Sequence, residues 1–176
     1  MRRVRKKLFM YLIAALLIGW PIIQMVEMVV HHEPQENAEK LLYQVSFFQM
    51  ELLGSYLTES VKISNTDGFN ALRQSVYSAQ FAHDHLSSAY GESHLPRLDS
   101  LAQLMQYLLR LQIGGGRPLK TEEQQTIAEV NRQYAEIYDA YGKLVTSSGA
   151  LVSSQADRMA KADKAISELL KKKLLQ

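Results

Sequence analysis

FNALRQSVYSAQFAHDHLSSAY, residues 69–90, carries apolar side chains at Phe69, Leu72, Val76, Ala79, His83, Leu86 and Tyr90, in alternating steps of three and four. That spacing keeps one stripe on one side of a helix and predicts a heptad seam buried against neighbouring helices. The run Ser64-Asn65-Thr66-Asp67-Gly68 precedes it, and its short polar side chains suit a turn and an N-cap. Upstream, Leu41, Val45, Phe48, Leu52 and Tyr56, widened by Leu42 and Leu53, predict an amphipathic helix from Glu36 to Ser64.

Downstream, Gly91 ends the seam and Ser93-His94-Leu95-Pro96 reads as the start of a third helix, with Pro96 in its first turn. Leu98, Leu101, Leu104, Met105, Leu108 and Leu111 are its apolar face. The sharpest break is Gly114-Gly115-Gly116-Arg117-Pro118, read as a flexible linker because the preceding strand and the Lys-Ser/Thr of a phosphate loop are missing. Thr121-Glu122-Glu123-Gln124 reads as a capping box with Thr121 as its cap. A fourth helix carries Ile127, Val130, Tyr134, Ile137, Tyr141 and Leu144, nearly thirty residues long before a bend near Gly149.

Consecutive helices joined by short loops lie antiparallel. The fold class is therefore all-α: an up-down bundle of about four helices over residues 31–149, with residues 150–176 as an amphipathic basic helical extension near the membrane surface or the bundle's base. Runs that alternate β-branched and polar residues, the mark of strands, are absent.

The chain opens on MRRVRKK, and Leu8 to Val26 contains no ionisable side chain except the phenol of Tyr11. Nineteen such residues form a helix of about 28 Å, the hydrocarbon thickness of a bilayer. Residues 1–7 thus read as a cytoplasmic stub and 8–30 as a signal-anchor helix in membrane lipid, with the C-terminus extracytoplasmic. A cleaved signal is the competing reading. It is disfavoured because Trp20-Pro21-Ile22-Ile23-Gln24-Met25-Val26 lacks the small-x-small site.

Net charge is +2, but residues 1–7 carry +5, residues 157–176 carry +3, and the body between them −6. An acidic body is a poor match for nucleic acid. Without cysteine, disulfides, thiolate metal sites and thiol nucleophiles are excluded.

Serine-nucleophile and zinc-protease motifs are missing, so the chain reads as no enzyme and no catalytic residue is assigned. His83-Asp84-His85 and His94 are the only ligand-like cluster of the body. His83 and His85, two residues apart on a helix, point in different directions, so no metal ligand and no cofactor is expected. A buried His83 hydrogen-bonded to a tyrosine or a carboxylate fits better. His31-His32 reads as a solvated interfacial pair. Tyr134, Tyr138 and Tyr141 form one ridge, either core edge or partner-facing, and Lys171, Lys172 and Lys173 are free to meet lipid or an acidic partner.

The basic stub, the anchor, Leu98-Asp99-Ser100-Leu101 through Tyr107, the glycine turn, Pro118-Leu119-Lys120-Thr121-Glu122-Glu123 and the tyrosine-bearing helix resemble the N-terminal region of YpeB-type spore germination proteins over residues 1–150. The family has a larger C-terminal part than this chain carries. The resemblance implies a membrane-anchored accessory that stabilises or localises an exported partner, with no catalytic residues.

The function expected is a non-catalytic accessory or scaffold, membrane-anchored, that binds a protein partner, with homo-oligomerisation open. The alternative is a sensor-type bundle binding a small ligand, metal or haem.

Overall fold

The computed structural model describes residues 33–175, and side chains from residue 38. The anchor at 8–30, the stub at 1–7 and the pair His31-His32 lie outside the described residues. Among the described residues no helix is long and apolar enough to cross a membrane.

Five α-helices follow one another: α1 Glu33–Ser60, α2 Asn70–Tyr90, α3 Asp99–Gln112, α4 Thr121–Tyr141 and α5 Ser153–Leu174. The seam of α2 is buried as its spacing predicts from Phe69 to Leu86, with Leu72, Val76, Ala79 and His83 all in the core, while Tyr90 at its end is only partly buried and donates its hydroxyl hydrogen to the Gly149 carbonyl at 2.9 Å. A single 3₁₀ turn, Thr66–Phe69, leads into it, and the Asn65 side chain accepts the Asp67 amide hydrogen at 3.1 Å to cap that turn.

The helices close into a ring in the order α1, α2, α3, α5, α4. α2 packs on α3, α3 on α5 and α5 on α4. Hydrogen bonds from α1 complete the circle. The Ser46 hydroxyl donates to the Ala82 carbonyl on α2 at 3.0 Å, and on the other flank Tyr43 donates to the Tyr141 carbonyl of α4 at 2.8 Å. All neighbours are antiparallel except α3 and α5, which run the same way: the start of α3 at Ser100 meets Asp163 in the middle of α5, and Arg110 near the end of α3 meets the Leu174 carbonyl at the end of α5.

Residues 150–176 are therefore not an appendage. The chain from Ala38 onward is one compact unit, and α5 buries Ala156, Met159, Ile166 and Leu170 in the shared core. Each such side chain removed from water contributes on the order of 1–3 kcal/mol. α4 stops at Tyr141, well short of thirty residues, because the chain turns there and the backbone pairs Val145 with Leu151 before α5 begins. α5 then runs away from that turn. Its lysines finish beside Glu122, at the end of the bundle opposite Lys40, whose ammonium donates to the Ser147 carbonyl.

Three local expectations change. The third helix starts at Asp99, not near Pro96, which stays in the connecting loop and offers its carbonyl to His83. The glycine turn is held, not loose: Thr66 donates to the Arg117 carbonyl and Leu119 to the Ser64 carbonyl, both at 2.9 Å. Gly114 and Gly115 take φ of +92° and +91°, which a side chain would strain. Finally, Thr121 is not a cap. Lys120 precedes α4, and its amide hydrogen goes to the Glu123 carboxylate at 2.8 Å, which Arg117 grips at 2.6 and 2.8 Å.

The largest correction concerns α1. Leu41, Val45 and Phe48, expected in the core, are exposed, while Ser46, Met50, Leu53 and Leu57 are fully buried. The helix is apolar on two sides, and the side with Ser46 in it faces inward. Ser46 is tolerated there because its hydroxyl reaches the Ala82 carbonyl. Tyr43 and Phe47, stacked on Tyr141 and Tyr138 with ring centroids 6.1 and 5.6 Å apart, seat this face on α4.

Candidate functional site

His83 is wholly buried, with Nδ1 3.1 Å from the Tyr141 hydroxyl and Nε2 3.0 Å from the Pro96 carbonyl. The carbonyl only accepts, so Nε2 carries the hydrogen and Nδ1 accepts from Tyr141. Burial lowers the pKa of the imidazole, against weaker opposing pulls from the Pro96 carbonyl and Asp84, and the ring is neutral. Both nitrogens are thus committed inside the protein. Among the described residues no three His, Cys, Asp or Glu side chains converge as metal ligands would.

The tyrosine ridge divides. Tyr134 and Tyr141 are core residues, not partner-facing ones. The Tyr134 hydroxyl donates to the Met50 carbonyl at 2.7 Å, and burial raises the pKa of both phenols. They turn inward because the short outer face of α4 is taken by Glu129, Arg132, Glu136 and Asp139, whose ion pairs with one another and with Arg158 need water. Tyr138 alone is half-buried, stacked on Phe47, at the rim of an open trough with Glu51, Gly54, Thr58 and Asn131. Lys171 and Lys172 are exposed, and Lys173 sits 3.9 Å from Glu122.

What the molecule does present is an apolar outer face across α1, α2 and α3. Leu41, Val45 and Phe48 on α1, Tyr77 and Phe81 on α2, and Leu109 on α3 are each between 45% and 64% exposed. The Ser46–Ala82 bond sets the register that puts Phe48 and Phe81 at one height on adjacent helices. Tyr77, Phe81 and His85 stack in a row, with centroids 6.5 and 4.2 Å apart, and Tyr77 shares a groove with Met105 and Leu109. Three helices therefore contribute to one surface.

Sequence reading assigned the α1 part of this face to the core and passed over Tyr77, Phe81 and Leu109. A signal was there: Tyr77 and Phe81 are four apart, off the seam of Val76, Ala79 and His83, so they must lie on the outer side of α2. No protein-family model, curated protein or solved structure matches the chain, and the reading of this face rests on its geometry.

Proposed function

We propose that the chain is a single-pass, membrane-anchored, extracytoplasmic helical bundle acting as a non-catalytic accessory or scaffold that binds and localises a protein at the membrane. The observation that carries the reading is the apolar face of α1–α3. Six half-exposed large side chains present roughly 600 Å² of apolar surface, at the upper end of what a monomer leaves bare. Apolar exposure of that extent commonly marks an interaction surface. The apolar stretch at 8–26 after five positive charges supplies the anchor, and tethering raises the local concentration of whatever the face holds without any new contact.

The resemblance to the anchored region of YpeB-type proteins points the same way. Mild crosslinking of the full-length chain in its own membrane, followed by copurification, tests the proposal. A polypeptide retained by the natural chain and lost with Phe48→Glu/Phe81→Glu, at unchanged helicity, supports it. Equal recovery from both chains refutes it. Protease added to intact protoplasts should digest the body. A body protected until lysis refutes the topology.

A further inference from the structure

We infer that the occupant of this face is a second copy of the same chain, docked side by side with helices parallel and a two-fold axis running along them; this rests on the reading that the face binds protein. Along α1, Leu41, Val45, Phe48 and Leu52 advance by four, three and four. That is the step with which one helix offers knobs to the holes of an equal helix. It also explains why the stripe looks like a core seam: it is one, with the partner outside the monomer.

Three further features single out a copy over an unlike partner. The side chains interleaved with the α1 stripe, Gln44 and Gln49, are neutral, so along α1 the face neither repels itself nor selects a charged surface; the charges, Arg73 and Asp84, lie on α2. A two-fold contact needs a patch that complements itself, and neutral apolar ridges meet that condition. The contact takes in four of the six half-exposed side chains, Leu41, Val45, Phe48 and Phe81, an area at the small end for a specific interface that membrane tethering makes sufficient. Anchors at 8–30 would bring every copy in from the same end, so their α1 helices arrive parallel and concentrated in one plane. Phe81 of each copy, level with Phe48, then closes on the flank of the neighbouring α1.

The absence of cysteine makes the test clean, because a single introduced thiol reports only on itself. Leu41→Cys, Phe48→Cys and, as control, the exposed Lys161→Cys on α5 are each made in the full-length chain and oxidised mildly in its membrane. Disulfide-linked dimer is expected at positions 41 and 48, at least tenfold above position 161. Adding Phe81→Glu to Phe48→Cys should cut the dimer at least fivefold with the helical melt unchanged, and Phe81→Ser serves if the charged variant melts early. Equal yields at 48 and 161, or a maleimide-reactive thiol at 48 that forms no dimer, overturn the proposal. Dimer at 48 but not at 41 overturns the parallel arrangement, because a two-fold axis across the helices brings only one level onto itself. A crosslink from position 48 to a different polypeptide overturns the second copy and leaves the binding reading standing. Labelling of position 48 by a photoactivatable phospholipid, in place of either, overturns both.

Discussion

His83 on α2 and Tyr141 at the end of α4 are joined by a hydrogen bond of 3.1 Å in the centre of the bundle, and each is completely buried. From the sequence alone, leucine at position 83 would hold or raise stability, since it replaces a polar group with an apolar one. The geometry reverses that expectation. His83→Leu leaves the Tyr141 hydroxyl without its acceptor and the Pro96 carbonyl without its donor, both in the core. Orphaned groups cost about 1–3 kcal/mol each and the leucine offsets part of that, so a net loss of about 2 kcal/mol is expected in urea unfolding. Adding Tyr141→Phe should make the second change cost less than it does alone. Strict additivity of the two would show that the bond contributes nothing.

The same histidine makes stability depend on pH. Its folded pKa lies below the ordinary 6.5 because burial penalises the charged ring. Between the two values the unfolded chain binds a proton that the folded chain does not, so stability rises with pH there. The neutral His83 contribution is therefore fully present above about 6.5 and is lost as the pH falls below it, by up to about 1.4 kcal/mol per pH unit. Melting curves from pH 7.5 to 5.5 should fall more steeply for the natural chain than for His83→Gln. Parallel slopes would place the acid sensitivity elsewhere.

How far the fold could be read from residues is clearest when α2 is set against α1. On α2 the outer positions include Gln74, Ser78 and Asp84, and the two apolar side chains among them, Tyr77 and Phe81, are outnumbered by the seam, which faces inward. On α1, Leu41, Val45 and Phe48 compete with Tyr43, Met50, Leu53 and Leu57, and the winning side contains a serine. Periodicity counts apolar residues; it does not see that Ser46 has an acceptor waiting on Ala82 or that Tyr43 and Phe47 stack on α4. The tyrosine ridge admits two readings, core edge or partner-facing, for a related reason. Its spacing was right, but which face of α4 turns inward is decided by Met50 and His83, on other helices.

The start of α4 offers a direct comparison of two neighbouring residues. Glu123 accepts the Lys120 amide hydrogen and receives both arms of Arg117, whose guanidinium holds the carboxyl below its usual range. Glu123→Ala removes all three bonds and should cost about 1–2 kcal/mol. Thr121→Ala, at an exposed position, should stay within about 0.5 kcal/mol. Chemical denaturation of the two variants side by side checks this. A larger loss at Thr121 than at Glu123 would restore the threonine as the cap.

At the start of α3 no residue of the loop itself caps the helix. Asp163, from the middle of α5, accepts the Ser100 amide hydrogen at 2.9 Å. Burial raises the pKa of this carboxyl, against the smaller opposing effect of Ser100, so its ionised form is held at a cost. Asp163→Asn keeps an acceptor and removes the charge, and near pH 7 it should match or exceed the natural chain. Asp163→Ala leaves a helix N-terminal amide unpaired and should lose about 1–2 kcal/mol. The order Asn at or above Asp, and Asp above Ala, is the expected ranking of urea midpoints. Asn falling with Ala would mean that the charge itself stabilises α3.

Deleting residues 151–176 separates a docking tail from a structural helix. A tail that served only to dock would leave the bundle's helicity and melting point intact. α5 instead fills the gap between α3 and α4, and its Met159, Ile166 and Leu170 are all but completely buried. Its removal strips the cap from Ser100 and frees Arg110 from the carbonyls of Lys173 and Leu174. It also exposes the inner faces of two helices at once, at roughly 2 kcal/mol for each large side chain laid bare. For a domain whose whole stability is on the order of 5–15 kcal/mol, a loss of that size should abolish the cooperative melt. Circular dichroism of the truncated full-length chain in detergent is the measurement. A cooperative transition within a few degrees of the natural chain would show that α5 is dispensable to the core, and would return Lys171, Lys172 and Lys173 to the role of a docking end.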